Sequence, residues 1–269
     1  MSEDQTFEVI GLLDIVIPTK NSDRTLDLCL RGIKSTISYG NVFIVDNFSE
    51  DNTKEIALSH GCKYVTSPSK YSLALREGAM MTKGDYFMIV DSDVILNKKA
   101  NVLFRHMGDY AVIKGVTRHW FRPKFESLTK YWIERMRSEI SGLEAALMKK
   151  EEFLEYSGDW ADNQMDAGGD LNLFYRYKKN NIPMLNLPVV VSTHITGDWK
   201  RFWRQAIWYG RSYGNKSYLP IRQTNRNPLK SFVRAVDGGL RYKDIKLFAA
   251  IFGNMLCATI GRLTRFASR

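Results

Sequence analysis

Asp91 and Asp93 flank a serine directly after the apolar run Tyr86–Val90. Carboxylates two residues apart, with a kink between them, converge on one hard cation such as Mg2+ or Mn2+. The alternative is a strand-to-loop turn with both aspartates in water, because unpaired charges held dry are costly. Polar groups close two other apolar runs: Thr19-Lys20-Asn21 after Leu13–Ile17, and Asp46 after Val42–Val45. His194 closes a fourth, Leu187–Thr193. A lone histidine in that place is either a partly buried, hydrogen-bonded ring or a metal ligand, and an imidazole among carboxylates suits Mn2+ better than Mg2+. Other chemistries lack their signatures. No GxGxxG follows a strand and there is no GxxxxGK[ST], which argues against a dinucleotide fold and a P-loop. Cys29, Cys62 and Cys257 stand far apart with no CxxC, against a disulfide framework or cysteine zinc site and in keeping with a reducing compartment.

The elements that must position these groups follow from periodicity. Leu26, Cys29, Leu30 and Ile33 share a helix face. Short helices are expected over Thr53–Ser59 and Tyr71–Met81, with a weak strand at Lys63–Val65 between them. Strands alternating with helices at this spacing predict parallel βαβ units, whose ligands bind beyond the carboxyl ends of the strands. Further on, strands are expected at Tyr110–Val116 and Ala145–Met148, and helices at Leu128–Ile140, Asp170–Lys179, Trp199–Tyr209 and Ile245–Leu263. A polar stretch, Asn215–Asn227, reads as a linker.

Three segments, DIVIPTKN (14–21), FIVDNFSEDNT (43–53) and GDYFMIVDSD (84–93), closely resemble the family 2 glycosyltransferases of the GT-A fold. The likeness is strong over residues 12–95 and looser to about 213. There GGDLNL (168–173) with Arg176, LPVVVSTH (187–194) and WYGR (208–211) resemble the family's downstream elements. The resemblance implies an α/β, Rossmann-like fold with a mostly parallel central sheet flanked by helices. It implies an inverting, metal-dependent transfer of a sugar from a UDP- or GDP-linked donor. Pro18, Thr19, Asn21, Asp46, Asp91 and Ser92 would line the donor pocket. Asp91, Asp93 and His194 would hold Mn2+ or Mg2+, and Asp170 would be the general base, with Asp166 a nearby competitor. Two positions depart from the pattern. Gly169 stands where the family has Glu, and Leu75-Arg76 stand where it has Arg-Asn, leaving Arg76 or Lys70 to supply the charge near the diphosphate.

The chain has 269 residues, 44% hydrophobic and 25% charged, which is ordinary globular composition and excludes a disordered or rod-like protein. Its net charge of +10 is uneven: residues 196–269 hold 15 basic and 3 acidic groups. That favours a local anionic partner such as a membrane surface over a general nucleic-acid coat. The acidic N-terminus lacks the basic region of a secretory signal. The helix near the C-terminus, with lysine and arginine at both ends, is too short to span comfortably, and it reads either as an interfacial membrane element or as a core or dimer-interface helix. Lys200, Arg201, Arg204 and Arg211, on the aromatic helix from Trp199 to Arg211, are either solvated or contact phosphate. The expected plan is a transferase domain over 1–213 (donor half 1–100, acceptor half 101–213) and a basic extension over 214–269. The expected acceptor is lipid-linked or a surface glycan, at the cytoplasmic face of a membrane. The competing expectation, favoured by Gly169, is a non-catalytic module of the same fold that binds membrane or nucleic acid.

Overall fold

A computed structural model describes residues 13–120, 142–160, 169–195, 197, 199–212 and 228–266. The expected helix over 128–140, the linker over 215–227, Asp166 and the side chain of Arg211 lie outside the described residues. By its contacts the chain divides into two units, one of residues 1–117 and 140–194, the other of residues 118–139 and 195–269. The boundary drawn from sequence falls after residue 213, while this division falls after His194.

The first unit is built on an eight-stranded sheet in the order β3-β2-β1-β4-β7-β6-β8-β5. Strands β1 (Asp14–Thr19) and β2 (Val42–Asp46) are buried along their whole length. Such continuous β-branched runs suit parallel strands covered on both faces. β1 pairs in parallel with β2 and with β4 (Tyr86–Ile89), and β2 with β3 (Lys63–Thr66). The connecting helices are α1 (Leu26–Thr36), α2 (Thr53–Ser59) and α3 (Tyr71–Met81). α3 lies so close to β1 that a Cβ on Gly78 would come 2.2 Å from Val16 Cγ1.

Beyond β4 the direction changes. β7 (Ala146–Lys149) runs antiparallel to β4 and to β6 (Val112–Trp120). β5 (Val94–Leu96) runs antiparallel to β8 (Met184–Ile195). The sheet is therefore mixed, parallel only over β3-β2-β1-β4. This unit also holds α4 (Lys150–Tyr156) and α5 (Gly169–Lys179). Phe153 of α4 packs edge-on against Phe87 and Trp160, at 5.2 and 5.5 Å between ring centres.

The second unit holds α6 (Trp199–Ser212), α7 (Pro228–Arg241) and α8 (Ile245–Phe266). Its small core is Phe202, Ala235, Leu247, Ala250 and Ile251. Glycines let its helices touch: a Cβ on Gly253 would meet the Trp203 ring at 2.7 Å, and one on Gly210 would meet the Ala258 carbonyl oxygen at 2.1 Å. Among the described residues, no helix is long and apolar enough to cross a membrane.

Candidate functional site

The pairing of Thr19 with Asp46 brings the ends of β1 and β2 side by side, next to the buried Pro18. Asp46 is fully buried and its carboxylate is occupied. It accepts from the Thr19 hydroxyl (2.8 Å), the Ser49 N–H (2.7 Å) and the Ser49 hydroxyl (2.5 Å). Tyr64 also bonds to it, and burial together with that contact pushes the phenol's pKa up. Asn21 sits at φ 50°, a left-handed conformation that asparagine tolerates. Its backbone N–H donates to Ser49 Oγ (2.7 Å) and its side chain accepts from the Glu50 N–H (2.9 Å). Thr19, Asn21 and Asp46 thus stitch two strand-end loops into one wall.

The second wall is the turn after β4. The Asp91 carbonyl accepts the Val94 N–H (2.9 Å), and the Ser92 hydroxyl lies 2.9 Å from that of Ser22, tying this turn to the first wall. Asp91 accepts from the Tyr71 phenol (2.8 Å). Burial, then the charges of Asp93 and Glu144, push the Asp91 carboxyl up to about 7, against the opposing pull of Tyr71 and His194. The Val94–His194 pairing of β5 with β8 sets His194 beside Asp93, with 3.0 Å between Nε2 and Oδ1. Burial disfavours the imidazolium, but Asp93, Asp91 and Glu144 outweigh it and raise His194 to about 9.

Asp170 lies in the first turn of α5. Burial raises its pKa, and Glu144 adds to the rise, while the Leu171 and Gly142 N–H groups and Lys114 oppose it. A carboxyl shifted upward in this way is better matched to accepting a proton near neutral pH. The departure at Gly169 has a packing cause. A Cβ there would come 2.4 Å from Ser72 Oγ and 3.3 Å from the Trp160 ring, so no side chain fits.

Arg76 is not brought to this cluster. Its guanidinium donates to the Leu154 carbonyl and to Ser157 Oγ (2.9 Å), closing the end of α4. Lys70 is exposed at the start of α3. His60 bonds to Asp27 (2.9 Å), away from the carboxylates.

Glu144, Lys114 and Tyr71 belong to the site and were not singled out from the sequence. Lys114 donates to Glu144 (3.1 Å) and to the Gly142 carbonyl (3.0 Å), and both side chains are nearly buried. The only signal for that pair is the register of β6 against β7, Lys114 opposite Ala146, which one strand read alone does not carry. Among the described residues the cluster holds four acids, Asp91, Asp93, Glu144 and Asp170, together with Lys114 and His194. Buried negative charge in excess of its partners is costly. Asp91 shows that cost in its raised pKa, and a divalent cation would relieve it. The donor set therefore fits such an ion chemically. As it stands, Asp93 is bonded to His194 and Asp91 to Tyr71, and among the described residues no three metal-binding groups converge on a point.

Comparison with known proteins bears on the family and the fold. A family model described as glycosyl transferase family 2 matches residues 14–165. A comparison with curated proteins gave no match. Among solved structures, glucosyl-3-phosphoglycerate synthase from Mycobacterium tuberculosis is similar at 16% identity and a TM-score of 0.52, over 76% of this chain and 78% of that one, in a complex with Mn2+, UDP and glucosyl-3-phosphoglycerate. The same enzyme with Mg2+ and UDP gives 14% identity and a TM-score of 0.53 over the same shares. TarS from S. aureus, residues 1–349, gives 13% identity and a TM-score of 0.51 over 96% of this chain and 92% of that one. The shared architecture is the mixed α/β GT-A fold.

Proposed function

Because the chain belongs to glycosyl transferase family 2, we propose that it moves one sugar from a UDP- or GDP-linked donor to a hydroxyl or phosphate of a lipid-linked or surface-glycan acceptor, with inversion, at the cytoplasmic face of a membrane. The observation that supports this reading is the cluster of Asp91, Asp93, Glu144 and Asp170 gathered with Lys114 and His194 beyond the strand ends. The stitched loops of Thr19, Asn21 and Asp46 form the nucleotide side. Asp46 acts there by fixing loop shape, since its oxygens are already taken. Asp91, Asp93 and His194 would hold Mn2+ or Mg2+, the ions present with UDP in the mycobacterial enzyme. Such an ion, when bound, stabilises the charge that gathers on a departing diphosphate.

The chain's own acid–base step rests on Asp170. The acceptor oxygen bonds to the anomeric carbon as the carbon–oxygen bond to the diphosphate breaks, and the electron pair leaves with the nucleoside diphosphate. Asp170 takes the acceptor proton. The non-catalytic reading drew its support from Gly169, and the contact with Ser72 accounts for that residue without reference to catalysis.

A thermal-shift panel of UDP- and GDP-sugars, with and without Mn2+, tests donor and ion together, because a ligand that binds the native state raises its midpoint. The expected result is a shift for one nucleotide class that EDTA and Asp93→Ala both abolish. No shift with any nucleotide sugar would refute the assignment.

A further inference from the structure

Two helices of the second unit leave large apolar residues on their outer faces as well as packing an inner face. On α8 the packed face is Leu247, Ala250, Ile251 and Ala258. The opposite face is Ile245, Leu256, Ile260 and Leu263, with Ile245 77% and Leu263 64% exposed. Steps of 11, 4 and 3 residues keep these four on one stripe of a 3.6-residue helix. The stripe runs about 27 Å at 1.5 Å per residue. On α7 the buried positions are Ala235 and Gly238, while Phe232, Val233 and Leu240 face out, Leu240 at 74% exposure. The Phe232 ring lies 5.9 Å from that of Phe252 and 6.3 Å from that of Phe248, joining the two stripes.

A contiguous exposed apolar face of this size marks a contact surface. Around Leu240 and Ile245 its border exposes Lys243 and Lys246, and Arg241, which pairs with Asp237 at 2.9 Å. The wider segment, residues 196–269, holds 15 basic and 3 acidic groups. A second copy of the chain would bring two such positive surfaces together. A surface of anionic lipid supplies both the apolar layer and the opposite charge.

We propose that the outward faces of α7 and α8 lie within the interfacial layer of an anionic bilayer, helix axes along the membrane plane, with Arg241, Lys243 and Lys246 at the headgroups. This deepens the membrane-side placement above and is independent of the donor chemistry. It accommodates both sequence readings of the last helix, since among the described residues one face packs as core and the other is exposed. Removing the helix would strip Phe202 and Ala235 of their packing, so side-chain replacement is the cleaner test.

The full chain is sedimented with vesicles of phosphatidylcholine alone and of equal parts phosphatidylcholine and phosphatidylglycerol. Binding is expected only with the anionic vesicles. Leu256→Glu with Ile260→Glu is expected to weaken it tenfold or more, on the order of the cost of placing charge in an apolar layer. Lys243→Glu with Lys246→Glu is expected to weaken it roughly fivefold for each charge lost. Both variants should keep the wild-type melting midpoint and nucleotide response. Should the glutamates prevent folding, Leu256→Ser with Ile260→Ser answers the same question. The proposal is overturned if the wild type ignores anionic vesicles, if the apolar-face variant sediments like the wild type, or if light scattering shows a wild-type dimer that this variant splits. Loss of nucleotide response with vesicle binding intact would count against the transferase reading alone.

Discussion

The two units use the same helical periodicity to opposite ends. In α1 the apolar stripe of Leu26, Cys29, Leu30 and Ile33 is buried. In α8 the large residues Ile245, Leu256, Ile260 and Leu263 are exposed, and the packed face carries Leu247, Ala250, Ile251 and Ala258. Hydrophobic spacing reports that a helix has an apolar face, not what covers it. A covering sheet makes that face core. In α8 Leu247, Ile251 and the alanines make the helix contacts, and the other large residues are exposed. Among the described residues the first unit gathers Asp91, Asp93, Glu144 and Asp170 near Lys114 and His194, whereas no polar or charged side chain of the second is buried.

The largest effect expected from this contrast is confined to the first unit. Asp170→Asn keeps the shape of α5 and removes the proton acceptor, so kcat should fall by roughly 10²–10⁴. Donor-induced thermal shifts and vesicle binding should stay at wild-type levels. Transfer at the wild-type rate would remove Asp170 from the mechanism.

Lys114→Met comes next. It leaves Glu144 buried beside Asp91 and Asp170 with its nearest cation gone. Breaking a buried pair from one side costs about 3–5 kcal/mol. Urea denaturation should show that loss, with much of it recovered on adding Glu144→Gln. A loss that Glu144→Gln deepens would mean the pair is not the source of the strain.

Much of this was readable from local pattern. α2 and α3 begin and end where the sequence places them, because each is a short amphipathic run bounded by polar turns. The loops that Thr19, Asn21, Asp46, Asp91 and Asp93 occupy were readable because these residues sit at strand ends. What escaped depends on register or on size. β5 has three residues, too few for periodicity to register, yet it sets His194 against Asp93. Lys114 and Glu144 meet only through β6 against β7. Arg76 was matched by its place in a motif, and its guanidinium is used on α4, an element the sequence reading did not identify. The helix Pro228–Arg241 also went unread, because its large apolar residues face outward and its glycines resemble a linker.

Close backbone approach should be common to both units. Gly78→Ala drives a methyl into Val16, and Gly210→Ala drives one against the Ala258 carbonyl. Each should cost about 1–3 kcal/mol as overpacking. Gly158→Ala, with no heavy atom within 4 Å of its Cβ, should change stability by no more than about 0.5 kcal/mol. If all three variants have the same urea midpoint, glycine is not what sets these contacts.

The smallest effect sharpens a comparison inside the first unit, between two buried aspartates shifted in opposite directions. Asp91 is raised because burial meets neighbouring negative charge. Asp14 is also buried, and burial alone would raise it. The Asn41 side chain (2.8 Å), the Lys83 N–H (2.9 Å) and the Asn41 N–H (2.8 Å) all donate to its carboxylate and leave its pKa below 3.8. A carboxyl depressed in the folded state stabilises fully above the unfolded value and loses that contribution as pH falls through the folded value. Asp14→Asn faces an amide donor towards one of these N–H groups and should cost about 1–3 kcal/mol at pH 7. Urea midpoints for wild type and variant should then converge as pH drops below the unfolded carboxyl range. An undiminished gap in acid would show that Asp14 holds β1 through its shape rather than its charge.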